Sequence, residues 1–128
     1  MRYLTPQQVL FIHARLIATT GGEHGVRDVG LLAAAVARPQ ATFAGQELYP
    51  TLFDKAAALL QSLVQNHPFV DGNKRTGLTA AALFLRQNGW QLQTSNQAVE
   101  SFTLQVVQGQ RSLTEIATWF QQNTIPSP

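Results

Sequence analysis

The sequence predicts an all-α fold: one compact domain over residues 1–128, built as a helical bundle of about six helices. Three observations carry this. Helix-start signals recur at Thr5, Thr51, Ser95 and Ser112, each a small hydroxyl residue able to cap the helix that follows. Apolar residues then recur at three- and four-residue spacing. Gly or Pro closes most of these stretches, as at Gly21-Gly22, Pro39, Gly89 and Gly109. A chain of 128 residues with 45% hydrophobic content is long enough to bury one real core and short for two.

In chain order, Thr5-Pro6-Gln7-Gln8 joins a cap, a first-turn proline and a capping-box glutamine. Val9, Leu10, Ile12, His13, Leu16 and Ile17 follow at helical spacing, and Gly21-Gly22 stops the helix. A second helix is expected from near Asp28 through Leu31, Leu32, Ala35 and Val36 to Arg38, with Pro39 ending it. Residues 40–50 lack a period and read as a loop or short hairpin. Thr51 caps a third helix, Leu52 to about Gln65. A fourth opens around Asn73 and runs to Asn88-Gly89. Trp90 to Gln93 alternates and fits a short extended piece, Ser95 caps a fifth helix, and Ser112-Leu113-Thr114-Glu115 is a capping box for a last helix to about Gln122.

Composition excludes several function classes. Nine Lys and Arg against seven Asp and Glu leave a net charge of +2. The cations are scattered from Arg2 to Arg111, so no basic patch for a nucleic acid backbone is expected. With no cysteine, disulfides, thiolate metal sites and cysteine nucleophiles are ruled out. No signal-peptide pattern is present, and the longest apolar-rich stretch, Leu78 to Leu85, is too short to span a bilayer. A cytoplasmic protein without a membrane partner is the expectation.

Chemistry concentrates between the third and fourth helices, where His67, Asp71, Asn73, Lys74 and Arg75 fall within nine positions. An imidazole can accept a proton near neutral pH. A carboxylate four residues on can hold a hard cation such as Mg2+, which keeps waters and also touches phosphates. Gly72 permits a sharp turn into the helix. The first turn then offers the unpaired N–H groups of Gly72, Asn73 and Lys74 and the positive end of the helix dipole to an anion. Lys74 and Arg75 add charge, and Arg supplies a fork that fits phosphate oxygens. Cations at a helix start oppose its dipole, a local conflict expected where an anion is meant to bind. Base, metal ligand and phosphate cradle on one loop suit phosphoryl or nucleotidyl transfer.

The segment His67-Pro68-Phe69-Val70-Asp71-Gly72-Asn73-Lys74-Arg75-Thr76-Gly77 resembles the signature of the Fic/Doc family. The all-α layout, the loop between two central helices, the Thr5-Pro6 helix and the Gly21-Gly22 turn resemble its Doc (death-on-curing) branch over nearly the whole chain. By this resemblance His67 is the catalytic base, Asp71 the Mg2+ ligand, and Gly72, Asn73, Lys74 and Arg75 the nest that binds the phosphates of ATP. Phe69 is expected to anchor the loop in the core.

Family members that transfer AMP typically carry Gly where Lys74 stands, and a second Arg at the place of Leu78. Lys74 and Leu78 instead match the Doc branch, which binds ATP reversed and transfers its γ-phosphate. The resemblance therefore implies a protein kinase acting on a Ser or Thr hydroxyl. It also implies a toxin of a type II toxin–antitoxin system, with a Phd-like antitoxin as partner and elongation factor Tu as target, which stops translation. AMP transfer, or a non-catalytic relative that only engages a partner, are the alternatives. Doc relatives often carry an Arg where Gln65 stands, which bears on activity. The spacing of an inhibitory helix found in some Fic proteins occurs only from Thr19 to Glu23, and Gly21-Gly22 within it argues against a helix.

Outside the loop, His13 beside Ile12 and Leu16 reads as packing or surface, and His24 has no metal-binding neighbour. Phe84, Trp90, Phe102, Trp119 and Phe120 read as core, and the runs Ala33 to Ala35 and Ala56 to Ala58 as close helix packing. Thr42 to Tyr49 is a candidate for the flap that aligns a target in this family, or a mobile linker.

Overall fold

Six α-helices form where the spacing placed them in the computed structural model, which describes all residues from Met1 to Pro128. They are α1 (Pro6–Thr20), α2 (Val29–Ala37), α3 (Leu52–Gln65), α4 (Asn73–Gln87), α5 (Asn96–Val107) and α6 (Leu113–Gln122). The fold is thus mostly helical, with two small two-stranded sheets. Local chemistry explains the helix starts. Thr5, Thr51 and Ser112 each close a full capping box, with Gln8, Asp54 and Glu115. Asp28 and Ser95 accept the N–H groups of Leu31 and Ala98. Each such cap satisfies an orphan donor and is worth about 1 kcal/mol.

Helix α3 is the axis of the molecule and packs against α4, α6, α2 and α5. Its Ala56, Ala57, Ala58, Leu59, Leu60, Leu63 and Val64 are all buried, and one apolar cluster draws on all six helices. The α3–α4 approach depends on Gly77, where a Cβ would stand 2.7 Å from Val64 Cγ1. Only a residue without a side chain allows that spacing. Phe102 stacks on Trp119 and meets Phe120 edge-on, joining α5 to α6. No helix is long and apolar enough to cross a membrane.

The second α-helix ends just before Pro39, as expected. The α-helix stops at Ala37, and the chain tightens into a 3₁₀ turn, Arg38–Gln40, with Pro39 in its first turn. A proline is tolerated there because its missing N–H would have no partner in any case. Of the first alanine run only Ala35 is buried, and Ala33 and Ala34 face outward. Trp90 is half-buried.

Residues 40–50 contain a hairpin: β1 (Thr42–Phe43) pairs antiparallel with β2 (Gln46–Glu47). Ala44 and Gly45 at its tip both have positive φ, 52° and 79°, the combination of a type I′ turn. Its base is tied to the core by Lys55 of α3, which is 2% exposed. The ammonium donates to Glu47 Oε1 at 2.8 Å, Tyr49 O at 2.6 Å and Pro39 O at 3.3 Å. Arg38 adds a bond to the Tyr49 hydroxyl at 2.8 Å. A second sheet pairs β3 (Trp90–Leu92) with β4 (Thr124–Pro126) at the C-terminal end.

Candidate active site

Helix α3 ends on Asn66, and the chain then turns through His67 with φ at +51°. Pro68 and Phe69 dive into the core, Val70 and Asp71 emerge, and Gly72 with φ at +79° redirects the chain into α4. Phe69 is 1% exposed, as expected of an anchor. Its ring stacks on that of His13 at 3.8 Å and 6° between planes. Asn73 closes the loop from α4: its Oδ1 accepts the Phe69 N–H at 2.9 Å and its Nδ2 donates to Phe69 O at 3.0 Å.

A second strand-like segment supports the loop from the side. Val26 forms a β-bridge with Phe69. The N–H groups of Arg27 and Asp28 both donate to Pro68 O, and Val70 N–H donates to Gly25 O. Loop backbone that would otherwise be unpaired is thereby satisfied.

His67, Asp71, Gly72, Asn73, Lys74 and Arg75, the six residues expected to act, line one cleft of about 440 Å³ together with Val70. The first helical bond of α4 runs from Thr76 N–H to Gly72 O. The N–H groups of Asn73, Lys74 and Arg75 are therefore free at its positive end, the arrangement that attracts an anion. Gly72 differs from expectation, because its N–H donates to Asp71 Oδ1 at 2.8 Å. The free donors are thus shifted one residue along the chain.

Asp71 Oδ2 accepts a second backbone bond, from Glu23 N–H at 3.1 Å. These bonds, the Glu23 one foremost, hold the carboxyl below its usual range, with smaller help from Arg75 and His13. Bonds to the charged form favour it. A depressed folded-state pKa contributes stability above the ordinary carboxylate range, lost as pH falls through the lower folded value. In magnesium-free buffer, wild type is expected to exceed Asp71→Asn in stability at pH 7, with the gap closing on acidification; urea melts across that range measure it. An exposed, ionised carboxylate fits Mg2+ held by one protein ligand plus phosphates and water. No cluster of three or more His, Asp or Glu side chains exists that would make an all-protein metal cage.

Several side chains in the cleft are already engaged. Arg75 donates to the Thr20 hydroxyl and, at 3.2 Å, to Gly21 O, so its fork grips the end of α1. The Asn73 amide is committed to Phe69, and its contact with His67 Nδ1, at 3.5 Å, is at the outer limit of a hydrogen bond. Lys74 is exposed and outside the one ion pair of the chain, Lys55–Glu47. Gln65 points elsewhere: its Nε2 donates to Val106 O of α5 at 3.0 Å. Between Thr19 and Glu23 the helix does end, with Gly21 and Gly22 at φ +86° and +115°. A Cβ at Gly22 would sit 2.7 Å from Asp71 Oδ2, so this turn packs directly on the carboxylate.

Sequence reasoning missed two contributors. His13 is buried and its Nε2 lies 2.8 Å from Asp71 O; because the carbonyl only accepts, that nitrogen carries the proton. Its reading as packing holds, yet the pairing across 58 positions has no local signature. Arg27 donates to His67 O at 2.6 Å and Asn66 O at 2.7 Å. The helix start expected near Asp28 was the only cue to that segment.

Comparison with known proteins agrees with this geometry. Residues 3–85 match the Fic/DOC family. The chain is 35% identical over 117 residues to "Protein kinase doc" of Escherichia phage P1, covering 91% of each protein. It is 68% identical over 72 residues to "Toxin Doc" of Mycolicibacterium smegmatis, an alignment that spans 56% of this chain and 55% of that protein. With the motif loop, its cleft and these matches in agreement, the chain belongs to the Fic/DOC family.

Proposed function

We propose that this protein is the toxin of a type II toxin–antitoxin system, and that it transfers the γ-phosphate of ATP to a Ser or Thr hydroxyl of a target protein. The observation that carries the reading is the convergence of His67, the ionised Asp71 and the free N–H groups of α4 on one cleft. The names of the two relatives, a toxin and a protein kinase, support it. The family resemblance points to elongation factor Tu as the target and to a Phd-like antitoxin as the restraint.

In this reading the phosphates lie over the N–H groups of Asn73, Lys74 and Arg75, with the Lys74 ammonium beside them. Asp71 would hold Mg2+, which when bound would supply charge neutralisation for the phosphates. His67 Nε2, the ring nitrogen that no protein group contacts, takes the proton of the target hydroxyl. The hydroxyl oxygen bonds to the γ-phosphorus as the bond to the β,γ-bridging oxygen breaks, and ADP leaves.

A neighbouring groove of about 500 Å³ is lined by Lys74, Arg75, Leu78, Val99, Glu100, Thr103 and Leu104. Lys74 and Leu78, which match the Doc branch where AMP-transferring members carry Gly and Arg, support γ over α transfer. ATP labelled at the α or the γ position, incubated with the protein and purified elongation factor Tu, tests this. Label should reach the target from the γ position only. Transfer from the α position would replace the kinase reading with AMP transfer. Transfer from neither would remove the assigned target.

A further inference from the structure

We propose that Arg27 is a positioning residue for His67, and this rests on the reading of His67 as the base. The observation is a strained backbone with one clamp on it. His67 is one of only two non-glycine residues with positive φ, and the other, Ala44, sits at a hairpin tip. A side-chain-bearing residue in that region is strained, and such strain persists only where surrounding contacts over-determine it.

What holds it is unusually specific. The backbone of residues 25–28 grips Pro68 and Val70 but makes no bond to His67. The Arg27 side chain alone reaches it, with Nε donating to His67 O at 2.6 Å and Nη2 to Asn66 O at 2.7 Å. The planar fork spans two successive carbonyls, Asn66 O and His67 O, and so pins the two peptide units on either side of the His67 Cα. Arg27 has no acidic partner, although Asp28 is its neighbour; that carboxylate instead caps α2. A cation at the C-terminus of α3 also complements the helix dipole. If capping were its whole role, removing it would lower stability and leave the His67 backbone where it is. If it positions the base, removal frees the two peptides that flank His67 and the imidazole swings away from the cleft.

The experiment compares full-length wild type, Arg27→Ala, Arg27→Lys and His67→Ala. Three-bond couplings and Cα/Cβ chemical shifts report the His67 backbone torsion, thermal melts report stability, and γ-labelled ATP reports transfer. In Arg27→Ala, His67 should leave the left-handed region while the melting temperature changes little. The rate at saturating ATP should fall about 10- to 100-fold, with the KM for ATP unchanged. Arg27→Lys, which keeps the charge without the fork, should fall between. A His67 torsion that stays positive in both Arg27 variants overturns the proposal, as does a loss that follows the melting temperature alone. Should Arg27→Ala not fold, the torsion in Arg27→Lys decides. If wild type and His67→Ala transfer equally, the base assignment fails, and the torsion still judges Arg27 separately.

Discussion

His67→Ala is expected to lower phosphoryl transfer by about 10²- to 10⁴-fold, the usual contribution of a positioned general base. The protein should otherwise be intact. His67 is exposed and its ring is buried against nothing, while Pro68 and Phe69 beside it are buried and keep the loop seated. ATP affinity, measured by calorimetry, should change little, since the N–H groups at the start of α4 and the Asp71 carboxylate remain. In growing cells the substitution should abolish growth arrest. Arrest that persists at wild-type strength would sink the enzymatic account.

The largest effect on stability is expected at Phe69. Truncation to alanine removes a fully buried aromatic, worth about 3–5 kcal/mol, and unstacks the His13 ring. The bonds from Asn73 to Phe69 are to backbone atoms and persist in principle, yet they no longer have a buried ring beneath them. Val70→Ala supplies the control, because Val70 is 51% exposed and should shift stability by about 0.5 kcal/mol or less. Urea melts of the two variants compare them directly. Equal midpoints would mean that the loop is not anchored through Phe69.

Most of the helical frame was legible because the signals are local. Capping boxes at Thr5 and Ser112 and caps at Thr51 and Ser95 act within three residues of themselves and formed as read, and the helix expected from near Asp28 starts there. The six residues of the candidate site were legible for the same reason, since they lie on one short loop. What escaped notice depends on distant parts of the chain. β4 is three residues long and ends in proline, so only its partner β3 makes it a strand. Lys55 carries no mark in the sequence of being buried, and its three acceptors come from the preceding turn and hairpin. Arg27 and His13 reach the motif across 39 to 58 positions. The second-hand commitments of Arg75 and Asp71, to the turn after α1, are likewise tertiary.

Lys55 has a consequence for how a target would be received. All three hydrogens of its ammonium are satisfied by Pro39, Glu47 and Tyr49. Lifting the hairpin would break the bonds to Glu47 and Tyr49 and leave the ammonium only Pro39 O among its three acceptors, at a cost to stability. The hairpin base therefore behaves as a fixed jaw rather than a hinged lid. Its amide protons should exchange with solvent through global unfolding, not local opening. If this hairpin is the flap that aligns a target, an incoming peptide would meet a preformed edge and lose chiefly its own freedom on binding.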